Sequence, residues 1–116
     1  MENFEANFYI AEYETGEEVP AIRIQNSKYA MLANLSQGHL SESIGVEQEI
    51  RKILEVINKE IDSHSFGGDD WCILDVKRKR TMIINGFDEF DPIEVSTEKI
   101  LKLMTNWLDF LKSHNR

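Results

Sequence analysis

The side chains that most often carry chemistry are few and scattered in this chain. Cys72 is the single cysteine, and it lies in an apolar run with no base beside it. His39, His64 and His114 form no metal-ligand spacing with one another or with Cys72. A nucleophilic thiol needs a basic neighbour, and a structural metal site needs clustered ligands. We therefore expect no catalytic residue, no bound metal and no cofactor.

Two short motifs and the many carboxylates offer alternative kinds of chemistry. Gly67-Gly68 lacks the glycine spacing and the Lys-Ser/Thr pair of a phosphate-binding loop. The acidic run at 88–91 lacks the glycine and the terminal glutamate of a calcium loop. Paired carboxylates can perform acid–base catalysis, but here the acids are numerous and no pair stands at a diagnostic spacing. A small enzyme that uses a carboxylate pair stays as one alternative.

The charges are segregated along the chain. Residues 1–22 contain six glutamates and no Lys or Arg, residues 87–98 contain five acids and no base, and a compact basic run occupies 77–80. Acidic stretches with interleaved aromatic residues favour a surface that binds a basic protein. The candidate partner-binding residues are Glu12, Tyr13, Glu14, Glu17, Glu18, Phe87, Asp88, Glu89, Phe90, Asp91 and Glu94. The alternative is that these acids only keep the protein soluble.

Composition and length predict one domain, residues 1–116, in the cytoplasm. The chain is 41% hydrophobic and 29% charged, which is typical of a globular fold. A net charge of −8 disfavours direct contact with nucleic acid or with an anionic membrane, because both repel it. We expect neither a signal peptide nor a membrane span, and a lone cysteine fits a reducing compartment.

Hydrophobic periodicity predicts the order of the elements. Residues 8–13 alternate with a period of two, 14–17 form a turn and 21–24 return, which makes a hairpin. Residues 29–33 are a candidate for a third strand, and residues 36–43 are predicted to form a loop. Residues 71–76 and 81–85 are strands joined by the basic run, and an acidic loop fills 85–94. The prediction is an α+β two-layer sandwich, β-β-(β)-α-β-β-α, with two helices on one face of an antiparallel sheet of four to five strands.

Both helices are predicted from apolar stripes at spacings of three and four. The first helix is expected to end at Gly67-Gly68, and its stripe consists of Val46, Ile50, Ile53, Leu54, Ile57 and Ile61. The second helix is expected to begin after the capping residue Ser96, with Glu98 in its first turn. Its stripe consists of Ile100, Leu103, Met104, Trp107, Leu108 and Leu111. These faces should pack on the sheet with Ile10, Ile22, Leu74 and Ile84. Trp107 is expected in the core and Trp71 half exposed.

The C-terminal half resembles a known group of proteins. Its segments are GDDWCILDV at 68–76, MIINGF at 82–87, IEVSTEKIL at 93–101 and WLDFL at 107–111. They resemble the immunity proteins of bacterial contact-dependent growth inhibition and related polymorphic toxin systems. The resemblance covers about residues 68–111. It implies a non-enzymatic protein that binds and blocks a cognate toxin, often a nuclease. The alternative is a regulatory or adaptor module that binds another protein.

Overall fold

The elements follow one another along residues 3–116, the part of the chain that the computed structural model describes. The strands are β1 (Ala6–Glu12), β2 (Glu18–Ile24), β3 (His64–Asp69), β4 (Cys72–Val76), β5 (Arg80–Ile84) and β6 (Ile93–Ser96). The helices are α1 (Ser43–Ile57) and α2 (Thr97–Ser113), and two 3-10 helices span Ser27–Ser36 and Gly38–Ser41. Glu2, one of the six N-terminal glutamates, lies outside the described residues.

The strands form two sheets and not the single sheet that was predicted. β1 and β2 pair as an antiparallel hairpin, from Ala6 opposite Ile24 to Glu12 opposite Glu18. The hairpin tip is closed by hydrogen bonds from the Tyr13 amide to the Glu17 carbonyl and from the Gly16 amide to the Tyr13 carbonyl, both 2.8 Å. The predicted N-terminal hairpin is therefore confirmed.

The second sheet is antiparallel with the order β3-β4-β5-β6. The Lys77 amide donates to the Arg80 carbonyl at 3.0 Å, so the basic run turns the chain between β4 and β5 as predicted. β3 and β6 were not predicted. Gly67-Gly68 lies inside β3 at a bulge, so the prediction that it stops the first helix is wrong. Glycine is required at position 67 because a Cβ there would clash with the Cys72 carbonyl oxygen.

The connection between the hairpin and α1 also differs from the prediction. Residues 29–33 belong to the longer 3-10 helix and not to a third strand, and Asn26 begins that helix by accepting a hydrogen bond from the Lys28 amide at 3.2 Å. The predicted loop at 36–43 includes the shorter 3-10 helix. α1 ends at Ile57, and Lys59 follows with a left-handed φ of 64°.

The fold is α+β, with both helices sharing one hydrophobic core with the sheets. The core includes the predicted Ile22, Ile53, Leu74, Ile100, Met104, Trp107 and Leu111. Leu54 was expected there but is 41% exposed, because the buried line of α1 passes through Val46, Glu49, Ile53 and Val56. Ile10, Ile50, Ile57, Ile84 and Leu108 are half-buried.

Candidate protein-binding surface

The buried thiol of Cys72 has the properties of a core residue. Its side chain is fully buried in β4. Burial, with a smaller contribution from the nearby charge of Asp69, raises the pKa of this thiol from 9.0 to about 12. The thiolate is the nucleophilic form of cysteine, and it is disfavoured here at neutral pH. This environment supports the prediction that Cys72 has a structural role.

Two of the histidines lie beside one buried carboxylate, which the sequence analysis did not anticipate. His64 Nε2 lies 3.3 Å from Glu49 Oε2, and His39 Nε2 lies 3.8 Å from the same oxygen. His114 instead packs against Phe110, with the two ring centroids 4.4 Å apart and the rings tilted by 47°. Among residues 3–116 no group of three His, Cys, Asp or Glu side chains is arranged to hold a metal ion. Within residues 3–116, no helix is long and apolar enough to cross a membrane.

The first predicted acidic segment forms the tip of the β1–β2 hairpin. Glu12, Tyr13, Glu14, Glu17 and Glu18 are all exposed there. The tip borders a groove of about 460 Å³ whose other wall contains residues 36–38 and the C-terminal residues 115–116. The carboxylates of this segment therefore project into solvent at one rim of the molecule.

The second predicted acidic segment is a loop organised by one buried amide. The side-chain oxygen of Asn85 accepts hydrogen bonds from the Phe87 amide at 2.9 Å and the Glu89 amide at 3.3 Å. Its side-chain nitrogen donates to the Trp71 carbonyl at 3.3 Å. These bonds hold the start of the loop on the adjacent β3–β4 turn. Phe87 and Phe90 are consequently presented to solvent, 52% and 56% exposed.

The outer face of the four-stranded sheet adds apolar surface beside that loop. Burial alternates along β4 and β5, so Ile73, Met82 and Ile84 lie on the face opposite the core and are only half-buried. Trp71, 41% exposed, packs its ring 5.0 Å from that of Phe87. We call Trp71, Ile73, Met82, Ile84 and Phe87 the open-face patch.

Acidic residues border the open-face patch. Asp75 and Glu94 stand opposite Met82 on the two neighbouring strands. Asp75 also forms an ion pair with Lys77, whose Nζ lies 3.9 Å from Asp75 Oδ1. An exposed group of apolar side chains with a polar, charged border is typical of a protein-binding surface.

A short chain of contacts links the two acidic segments. Gly38 lines the groove beside the hairpin tip, and a Cβ on Gly38 would lie 2.9 Å from the Gly68 carbonyl oxygen. Two residues further on, the Asp70 carbonyl accepts a hydrogen bond from the Gly86 amide at 2.7 Å. The structure therefore connects both predicted segments through the β3–β4 turn, although they lie on different sheets.

Sequence reasoning found the exposed acids but missed three members of the patch. Trp71 was expected to be half exposed, Ile84 was assigned to the core, and Ile73 and Met82 were given no role. One signal was present: β4 and β5 each contain three consecutive apolar residues, at 72–74 and 82–84, which places hydrophobic side chains on both faces of each strand.

Comparison with known proteins adds no relative. No protein-family model, curated protein or solved structure matches the chain. The assignment of the surface therefore depends on the geometry and charge described above.

Proposed function

We propose that this protein is an immunity protein that binds and neutralises a cognate toxin domain, a basic nuclease, through its acidic surface. The observation that carries the proposal is the open-face patch, which is bordered by Asp75, Glu94 and the exposed acids of the neighbouring loop. The C-terminal segments that resemble immunity proteins of contact-dependent growth inhibition include all five residues of this patch. In this proposal the protein acts in the cytoplasm, has no enzymatic activity, and contacts neither nucleic acid nor membrane directly.

The physical basis is complementarity with a phosphate-binding cleft. A nuclease must attract phosphate, so the cleft that holds its substrate is positively charged. Carboxylates can occupy phosphate positions there, and their long-range field accelerates the encounter of the two proteins. Trp71 and Phe87 supply apolar contact area, and aromatic residues of this kind dominate the binding energy of many interfaces.

The alternative is a regulatory or adaptor module without a toxin partner. It would use the same acidic surface, so the charge alone does not separate the two functions. A gene for a large secreted toxin immediately upstream would favour the immunity function. A pull-down from the source cells with mass spectrometry would identify the partner in either case.

The test uses the recovered partner, expressed alone, in binding kinetics over a salt series. Asp88, Glu89, Asp91 and Glu94 are changed to Lys in one variant, and Glu12, Glu14, Glu17 and Glu18 in a second of equal charge. We expect at least one variant to associate roughly tenfold more slowly at low salt. The difference should shrink as the Debye length falls from about 30 Å at 0.01 M to about 8 Å at 0.15 M.

A second experiment separates the effect of charge on the association rate from the effect of aromatic contacts on the dissociation rate. The double variant Trp71→Ala/Phe87→Ala should mainly accelerate dissociation, because it removes contact area and leaves the charge unchanged. Circular dichroism confirms that each variant is folded. If both charge variants and the aromatic variant bind with native kinetics, the acids are only solubilising and the proposal is wrong.

A further inference from the structure

A second groove lies between α1 and α2, at the end of the sheet where the β4–β5 turn projects. It encloses about 690 Å³, and its apolar walls are Leu54 and Ile57 of α1 and Leu101 of α2. The turn residues Arg78 and Lys79 form one rim, and Glu98 lies at another. The groove is therefore apolar inside and mainly basic at its edge, on a chain whose net charge is −8.

The apolar walls are incompletely covered by the rest of the chain. Leu54 lies in the last turn of the amphipathic helix α1 and is 41% exposed. Ile57 and Leu101 are half-buried and touch the core from its outer side. Three neighbouring aliphatic side chains that line an open groove can bury further area against a partner.

The basic rim is held in place by the start of α2. The Thr97 amide donates to the Lys79 carbonyl at 3.0 Å, and the Thr97 hydroxyl donates to the Lys77 carbonyl at 2.6 Å. The same hydroxyl lies 2.8 Å from that of Thr81 in β5, and both threonines are fully buried. These bonds fix the turn backbone, so Arg78 and Lys79 extend from a preorganised support.

We propose that this groove binds an acidic amphipathic helix of another protein. Aliphatic side chains on one face of that helix would pack between Leu54, Ile57 and Leu101, as in other helix-in-groove complexes. Carboxylates along its flank would approach Arg78 and Lys79. The charge of the rim selects the acidic partner, and the aliphatic walls favour an amphipathic helix over a small free anion.

The groove is separate from the acidic surface. Trp71 precedes β4 and the basic turn follows it, and the strand has five residues. At about 3.3 Å per residue the two sites are roughly 17 Å apart along the sheet. One molecule can therefore hold a basic and an acidic partner together. This inference is independent of the toxin proposal, because the two sites share no residue.

The test measures binding of a labelled synthetic helix with leucines on one face and glutamates on both flanks. A control helix has the same sequence with lysines in place of the glutamates. The protein variants are Arg78→Glu/Lys79→Glu for the rim and Leu54→Ser for the wall. The matched control, Lys99→Glu/Lys102→Glu, makes the same change in net charge beside a different depression, which is lined by Asn3 and Phe4.

We expect saturable binding of the glutamate helix, measured by fluorescence anisotropy, and none of the lysine helix. The rim variant should weaken binding about tenfold or more, and Leu54→Ser should weaken it with little change in salt dependence. The control should retain near-native affinity. Equal affinity for both helices, or native affinity in the rim and wall variants, would overturn the proposal. So would a dimer in sedimentation that the rim variant dissociates, since the groove would then bind a second copy of this chain.

Discussion

Replacing Trp107 by Phe tests how the core joins its elements. The Trp107 side chain is fully buried in α2, and its indole N–H donates to the Leu40 carbonyl at 2.7 Å. Its ring also lies 5.3 Å from Phe8 of the hairpin. One side chain thus connects α2, β1 and the shorter 3-10 helix. Trp107→Phe keeps an aromatic ring but removes the donor and part of the packed volume.

The expected loss can be estimated from two contributions. Leu40 is fully buried, so removing the indole donor from its carbonyl should cost about 1–3 kcal/mol. Truncating a whole buried Trp to Ala costs about 3–5 kcal/mol, and a Phe replaces most of that volume, which leaves about 1 kcal/mol for the lost ring. The free energy of unfolding should therefore fall by about 2–4 kcal/mol.

Urea denaturation followed by far-UV circular dichroism measures this loss. Trp71→Phe is the matched control, because that side chain is 41% exposed and an aromatic ring is kept beside Phe87. The control should cost less than about 0.5 kcal/mol. Equal losses at the two positions would refute the reasoning, since the buried indole bond would then have no measurable role.

Three further predictions concern stability. The Cys72 pKa is raised from 9.0 to about 12, so the bound proton stabilises the fold fully below pH 9, and this stability is lost as the pH rises toward 12. In urea titrations over this range, Cys72→Ala should reduce the decrease in the free energy of unfolding by up to about 1.4 kcal/mol per pH unit. In denaturation experiments, Leu74→Ala should lower the free energy of unfolding by about 2–5 kcal/mol, whereas Leu54→Ala, at an exposed position, should lower it by less than about 1.5 kcal/mol. Equal losses would contradict the assignment of Leu74 to the core and Leu54 to the surface. Gly45→Ala should lower the melting temperature because its Cβ would clash with the His39 carbonyl; an unchanged temperature would contradict this packing.

Local periodicity was sufficient to predict the long elements. The stripe spacing located both helices, and Ser96 occupies the predicted cap position of α2 with Glu98 in its first turn. The strands missed were those with weak local signals. β3 contains His64 and two glycines, and β6 has only four residues after Pro92. Their pairing depends on β4 and β5, which a single-sequence pattern does not include.

The candidate surface was predictable in its charge but not in its apolar part. The hairpin tip and the Asn85 loop expose their acids because both are turns, and turn composition is a local property. Which face of β5 carries Ile83 and which carries Ile84 depends on register and on the position of the helices. Similarly, His39, His64 and Glu49 lie in three separate elements, so their proximity depends on the tertiary fold and is not visible in the local sequence.

Among residues 3–116 the two sheets share no backbone hydrogen bonds with each other, since the β1–β2 hairpin and the four-stranded sheet form separate ladders. Side-chain packing, such as that of Phe8 on Trp107 and Phe110, couples them. The hairpin can therefore open as a cooperative unit while the larger ladder stays intact, and its amides should exchange with deuterium sooner than those of β4 and β5. A partner that engages both acidic segments would suppress this opening, so part of its binding energy would be expended in ordering the hairpin.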